Sequence, residues 1–408
     1  MEEWIRCNIG DVCDTISDTY RGDADKVVLV NTSDVLDGKC LNHQKSPNKD
    51  LKGQFKKTFQ RDDILYSEIR PANKRFAYID FDGTDYIAST KLMVIRHKEN
   101  IIPQFLYYII TSQAFIEELQ MLAESRSGTF PQITFTELAN QPIELPPLSE
   151  QAKIVRFLKS LDDKIEVNRR INDNLEEQAQ ALFKSWFVDF EPFKDGEFVE
   201  NELGIIPKGW RVGILSDLGE VVGGSTPSKA KAEFYTENGI AWLTPKDLSI
   251  SNSKFTSKGE IDITQEGYES CSTKLMPKGT VLFSSRAPIG YITIAKNDIC
   301  TNQGFKSVVP KNAGTTFIYC FLKASTPEIE NKATGSTFKE ASGALMKNLP
   351  VIIPEDIVLD HFEDMMKPIF KQQEIIEDES RRLAALRDTL LPRLMSGELK
   401  VNEIENVI

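Results

Sequence analysis

Side chains that could carry out catalysis are sparse in this 408-residue sequence. Its three histidines, His43, His97 and His361, are isolated, and an isolated histidine beside an apolar run is far more often a core or surface residue than a general base. No Gly-x-x-x-x-Gly-Lys-[Ser/Thr] loop and no Gly-x-Gly-x-x-Gly turn occurs, so nothing cradles ATP or a dinucleotide. Cysteines at 7, 13, 40, 271, 300 and 320 include no Cys-x-x-Cys pair and read as reduced thiols. Glu398-Leu399-Lys400 has the form of the end of a metal-nuclease motif, but that pattern arises constantly by chance, and Gly223-Gly224-Ser225-Thr226 reads as an ordinary turn. No catalytic residue and no metal ligand is assigned.

Groups suited to reading DNA are easier to find. In the second half they are Lys229, Lys246, Ser285, Arg286, Gln303, Lys306 and Lys339, most of them in turns expected between strands. In the first half they are Lys56, Lys57, Arg61, Arg70, Lys74, Arg75 and Arg126. Arginine pairs with guanine edges and glutamine with adenine edges, whereas lysine and serine mostly contact phosphate. Lys39 to Arg75 holds ten basic residues against four acidic ones, a polyanion footprint on a chain whose net charge is -12. A solvated loop would have the same composition, and for each residue singly an ordinary surface role stays open.

The elements that must position these groups repeat. From Leu148 to Phe193, Ile154, Leu158, Leu161, Ile165, Asn168, Asn172, Leu175, Ala179, Leu182 and Trp186 fall at alternating steps of four and three. That is a heptad seam and predicts one helix of roughly 40 residues, about 60 Å long. Ser149 stands where an N-cap would, and Pro192 closes the run. Shifted by 208 residues, the seam recurs at Phe362, Met366, Ile369, Gln373, Ile376, Ser380, Leu383, Arg387, Leu390 and Leu394. Pro368 lies inside this second run, which predicts a kink or a late start. Polar seam residues such as Asn168 and Gln373 fix register and partner at a cost in stability.

The segments between the helices echo each other too. Trp4-Ile5-Arg6 and Trp210-Arg211-Val212 open similar blocks; Ile64-Leu65-Tyr66-Ser67 and Val281-Leu282-Phe283-Ser284 read as buried strands running into a turn with one arginine and one proline. Gln141-Pro142-Ile143-Glu144-Leu145-Pro146 and Leu349-Pro350-Val351-Ile352-Ile353-Pro354 each feed a helix. The chain therefore divides into globular domain 1–147, helix 148–193, linker 194–209, globular domain 210–355, and helix with tail 356–408. This is an α+β class: two similar globular α/β domains and two long helices whose seams, Leu158, Leu161, Ile165, Asn168, Leu175 and Leu182 on one and Ile369, Ile376, Leu383 and Leu390 on the other, would give a pseudo-twofold object if they pair as an antiparallel coiled coil, the arrangement that the resemblance described below implies.

Paired rods that hold two blocks suit a target with two sites a fixed distance apart, of which duplex DNA is the commonest. The alternatives are a coiled-coil scaffold for protein partners and a stand-alone DNA-modifying enzyme. The acidic N-terminus lacks an apolar signal core and no run approaches 18 apolar residues, so a cytoplasmic, non-membrane protein is expected.

Three stretches carry a family resemblance. Pro146-Pro147-Leu148-Ser149-Glu150-Gln151 with Gln180-Ala181-Leu182-Phe183-Lys184-Ser185-Trp186-Phe187-Val188-Asp189-Phe190, the opening Gly204-Ile205-Ile206-Pro207-Lys208-Gly209-Trp210, and the tail Leu390-Leu391-Pro392-Arg393-Leu394-Met395-Ser396-Gly397-Glu398-Leu399 resemble the specificity (S) subunits of type I restriction–modification systems. The resemblance implies two target recognition domains, each binding one half of a bipartite double-stranded DNA sequence. It implies helices that dock two methyltransferase subunits and a chain without catalytic activity. It also implies that this chain binds no cofactor: S-adenosylmethionine belongs to the methyltransferase partners, and ATP and Mg to restriction subunits where present.

Overall fold

Leu148–Phe187 and Asp356–Met395 are each a single 40-residue α-helix. Both arise because apolar residues spaced by three and four leave water along one face of a 3.6-residue turn. The computed structural model describes residues 4–49, 53–125, 131–251, 253–335 and 339–404.

The first helix begins ahead of Ser149. The amides of Glu150 and Gln151 donate to the Pro147 carbonyl at 2.9 and 3.0 Å, so Ser149 lies within the first turn and does not cap it. The helix stops at Phe187; Phe190 then adopts left-handed backbone (φ 54°) and Pro192 sits in the short turn Glu191–Phe193. The second helix passes through Pro368 without a break, so no late start occurs. Proline removes one backbone bond there, but Pro368 is on the exposed face while Met366 and Phe370 beside it are buried, and their packing holds the helix together across the gap.

The buried stripe departs from a strict heptad. Leu158, Leu161 and Asn168 are buried, but Ile165, Leu175 and Leu182 are half-buried, and farther along the deep positions are Ala179, Phe183 and Phe187. On the second helix Ile376 and Leu390 are buried while Ile369 and Leu383 are half-buried, and Phe370 takes the deep place next to Ile369. The reason is geometric: a straight helix drifts about 20° per heptad, so the contact face moves onto the neighbouring residue.

Packing divides the chain into two units, Met1–Ile165 with Arg381–Ile408, and Glu166–Ser380. Both divisions fall inside the long helices, so each unit combines one globular domain with a stretch of both.

In the first unit a four-stranded antiparallel sheet has the order Cys13–Ile16, Leu92–His97, Ile64–Ser67, Phe76–Tyr78. A second sheet centres on Lys26–Val30 and Tyr86–Ser89, which run parallel. Ile5–Asn8 pairs with Pro142–Leu145 and closes the domain where it meets the first helix. Ile9, Phe105, Leu106 and Leu119 form its core with Ile154 and Leu158 of the first helix and Leu390 and Leu394 of the second. Full burial of Leu158 and Leu394 contributes roughly 2 kcal/mol each. Trp4, Leu399 and Val401 join the same cluster. Gly397 has φ 72°, and a Cβ there would lie 3.2 Å from the Trp4 ring, so the close approach needs glycine.

The second unit repeats this plan. Gly219–Gly223, Lys306–Pro310, Val281–Ser285 and Ile289–Ala295 follow one another in the same sheet order, with Phe255–Thr256 added in parallel at the edge. Trp242–Leu243 and Cys300–Thr301 form the parallel pair, and Arg211–Ile214 pairs with Pro350–Ile353. One 19-residue helix, Gly314–Lys332, replaces the two helices Pro103–Ile110 and Gln113–Glu124 of the first unit. Trp210 packs on Phe187, Phe190 and Phe193 at the end of the first long helix.

Candidate nucleic-acid interface

In the second unit the turns at the strand ends gather four of the polar groups singled out from the sequence. Val281–Ser285 ends on Ser285, whose amide and hydroxyl both donate to the Gly304 carbonyl, at 2.7 and 3.1 Å. This ties the Arg286 turn to the turn that carries Gln303 and Lys306. Arg286 bridges to Glu340, and the Glu340 carboxylate lies 3.5 Å from the Arg286 guanidinium and 3.4 Å from the Lys306 ammonium. Thr226 hydrogen-bonds Gln303. The Gly223-Gly224-Ser225-Thr226 turn needs its second glycine for this approach, because a Cβ on Gly224 would collide with the Thr301 and Asn302 carbonyls. The result is an arginine, a lysine, a glutamine and a threonine on adjoining turns, two of the cations sharing one carboxylate. Such a set can contact phosphates and base edges.

Other residues singled out from the sequence lie apart or differ in state. Ser285 is fully buried, and its hydroxyl serves the turn, not a ligand. Lys246 is exposed and pairs with Glu260 at 2.7 Å. Lys339 donates to the Glu330 carbonyl at 3.3 Å, near the end of helix Gly314–Lys332. Lys229 is exposed in the loop ahead of Tyr235–Thr236.

In the first unit, Arg70, Lys74 and Arg75 share one turn. The Ser67 amide donates to the Arg75 carbonyl at 2.8 Å, and Arg75 reaches the Ser33 carbonyl at 3.1 Å. Arg70 and Lys74 adopt left-handed backbone, φ 45° and 51°, and are exposed. Non-glycine residues there cost about 1 kcal/mol each. Arg61 is exposed and donates to the Asp80 carbonyl. Lys56 is exposed on strand Phe55–Lys57, but Lys57 points the other way: it is buried, and its ammonium donates to the Leu92 carbonyl at 2.8 Å. Strand alternation alone puts neighbours on opposite faces, which removes Lys57 from the candidate surface. Arg126 lies outside the described residues.

The two arginine turns match with a shift. Ile69 bridges Gln132 as Arg286 bridges Glu340, and Arg70 corresponds to Ala287, each with positive φ and each followed by proline. The first unit thus presents its arginine one residue later than the second.

The helices run antiparallel within each unit. In the first, Asp162 accepts from Arg387 at 2.7 Å and from the Tyr108 hydroxyl at 2.6 Å. In the second, Asn168 donates to Glu379 at 2.8 Å and to Ser380 at 3.2 Å, Gln373 donates to the Asn172 carbonyl at 3.3 Å, and Trp186 packs on Phe362.

Sequence reasoning missed the groups that seat each domain on the helices. Gln151 is fully buried: its carbonyl accepts from the Ile102 amide at 2.8 Å, and its amide reaches the Pro146 and Asn100 carbonyls at 2.9 and 3.3 Å. Lys254 is 7% exposed; its ammonium donates at 2.7 Å to Glu176 and at 2.7 Å to Gln373, and lies over the rings of Phe370 and Tyr319. Burial alone would raise the Glu176 pKa, but Lys254 and Lys323 outweigh it and hold the carboxyl down at about 2. Burial draws Lys254 downward against the pull of Glu176. The Glu176 direction represents the pair, since a 2.7 Å contact stabilises both charges.

The matching family model is the type I restriction modification DNA specificity domain, which covers residues 1–177 and again 207–377. The type I restriction enzyme HindI specificity subunit of Haemophilus influenzae is 33% identical over 462 residues, spanning 98% of this chain and all of that one. The MjaIX specificity subunit of Methanocaldococcus jannaschii is 42% identical over 191 residues, 44% of each chain. A solved type I restriction–modification S subunit from M. genitalium is similar in fold, with a TM-score of 0.53, 16% identity and 96% of each chain covered.

Proposed function

The chain belongs to the type I restriction–modification DNA specificity family, and from that premise we infer how it performs as the DNA specificity subunit of such a complex. Each domain reads one half of a bipartite double-stranded target. The observation that carries this is the repeated strand order, with a polar turn at the same strand end in both units. In the second domain Arg286, Gln303 and Lys306 supply the contacts, and in the first Arg70, Lys74 and Arg75 with Lys56 and Arg61.

The helices dock two methyltransferase subunits, joined by restriction subunits where the system has them. Their paired faces are occupied by each other and by the domains, which leaves residues such as Val167, Ile171 and Ile375 exposed for partners. The chain supplies address and no chemistry of its own. S-adenosylmethionine serves the methyltransferase partners, ATP and Mg the restriction partners. The complex works in the cytoplasm, which agrees with the lack of any described helix long and apolar enough to cross a membrane.

The test is the target itself. Methyladenine mapped in the host genome with and without this gene is expected to reveal a split sequence that the assembled complex protects. Inserting seven residues into either long helix adds about 10.5 Å and is expected to alter the preferred spacer while the bases read in each half stay the same. A change of bases with the spacer kept would defeat the reading.

A further inference from the structure

The second domain has a two-residue parallel strand on its edge where, among the described residues, the first domain has only a single parallel bridge, Gly38 to Ala77. Phe255–Thr256 pairs in parallel with Ile289–Ala295, within a connection from Gly223 to Val281 that is longer than its counterpart from Ile16 to Ile64. The residue that leads into this strand is Lys254. Its ammonium meets one acceptor on each long helix, Glu176 on the first and Gln373 on the second, both at 2.7 Å. Its amide donates to Glu377 at 2.9 Å, and its carbonyl accepts from the Ile294 amide at 2.8 Å, so the backbone is tied to the second helix on one side and to the sheet on the other. Lys296, on the same sheet edge, adds an ion pair to Asp378 at 2.6 Å.

A buried ammonium is an expensive way to hold two surfaces together. Well-packed apolar side chains do so at equal or lower cost, but their attraction has no direction. Two short hydrogen bonds from one atom to two helices do have direction: sliding either helix or turning the domain breaks at least one. The aromatic faces of Phe370 and Tyr319 close over the same cation and exclude water from it. In the first unit the Tyr108 hydroxyl donates to Asp162, a contact of domain with helix whose donor is neutral.

We propose that Lys254 is a positioning residue that fixes the seat of the second recognition domain on the helix pair and so determines which spacing between the two half-sites the subunit accepts. The proposal rests on the bipartite reading above.

The test uses the complex assembled with its methyltransferase partner, and duplex DNA that carries the sequence found methylated in the host, with the natural spacer or with one base pair more or fewer. Lys254→Met is expected to lower the affinity ratio of natural to altered spacer by about tenfold, the scale of one charged hydrogen bond lost, and to leave base preference within each half intact. An unchanged ratio in the folded variant, or altered base preference, overturns the proposal. Should Lys254→Met fail to fold, Gln373→Met decides in the same way, because it removes one acceptor and leaves the Glu176 pair in place. The double variant Lys254→Met with Glu176→Gln removes both charges and is expected to recover the thermal midpoint but not the spacer ratio. Recovery of both would mean that Lys254 acts through stability alone, which also overturns the proposal. Wild-type indifference to any split target would instead sink the bipartite reading, so the two failures are distinct.

Discussion

At the scale of single residues, the candidate interface proposed for the second domain turns on one shared carboxylate. Glu340 sits between Arg286 and Lys306 and holds both cations near the strand ends. The two differ in what they can recognise: a guanidinium is a planar fork suited to a guanine edge, an ammonium a point charge suited to phosphate. Arg286→Ala is expected to cost about 1–3 kcal/mol at one base pair of the target and to relax specificity there. Lys306→Ala is expected to weaken all sequences alike and to reduce the slope of log affinity against log salt by about 1. Titrating binding against salt on matched and singly mismatched duplexes separates the two. The position of Arg286, Lys306 and Gln303 at strand ends was legible from sequence, because turn residues punctuate the apolar runs. Glu340 was not, since its role depends on a bridge between segments more than 50 residues apart.

At the scale of elements, the long helices show how far a repeating pattern reaches. Their existence and their pairing follow from the seam that includes Leu158, Asn168, Ile376 and Leu390. Their detailed contact face does not, because seven-residue spacing ignores the drift that brings in Phe183, Phe187 and Phe370. At Pro368 the late start does not occur: a rule that holds for isolated helices yields where flanking turns are anchored in a core. That anchoring still leaves one hydrogen bond unmade, so Pro368→Ala is expected to stabilise the second unit by roughly 1–3 kcal/mol, read as a higher urea midpoint with unchanged slope. Gln151 makes the opposite case. Replacing it with leucine keeps volume but strands the Ile102 amide and the Pro146 carbonyl at the helix start, and a loss of about 2–4 kcal/mol is expected. A glutamine in the first turn of a helix gives no sign in sequence that it is a staple, because two of its partners, Ile102 and Asn100, lie in a loop some fifty residues upstream.

At the scale of the whole molecule, the duplication is what sequence conveyed best, and the unequal reinforcement of its halves is what it concealed. The second unit holds Glu176 ionised by contact with Lys254 and Lys323. A carboxyl held at about 2 in the fold, against roughly 4.3 when unfolded, adds stability that is fully present above the unfolded value and disappears as pH falls toward 2. Acid unfolding is therefore expected to shrink the difference in urea midpoint between the native chain and Glu176→Gln between about pH 4 and pH 2. A difference that stays constant over that range would show that the pair contributes nothing through ionisation.

The packing of Leu399 and Val401 into the core of the first unit bears on how the protein is made. Everything the second unit needs lies in consecutive residues, so it can fold as soon as Ser380 has left the ribosome. The first unit cannot: its core keeps a vacancy for Leu390, Leu394 and Val401, and the reader translated earliest is the last to be sealed. Until those residues emerge, its apolar wall is open to chaperones and proteases, and a premature stop ahead of Leu390 would damage the first unit and spare the second.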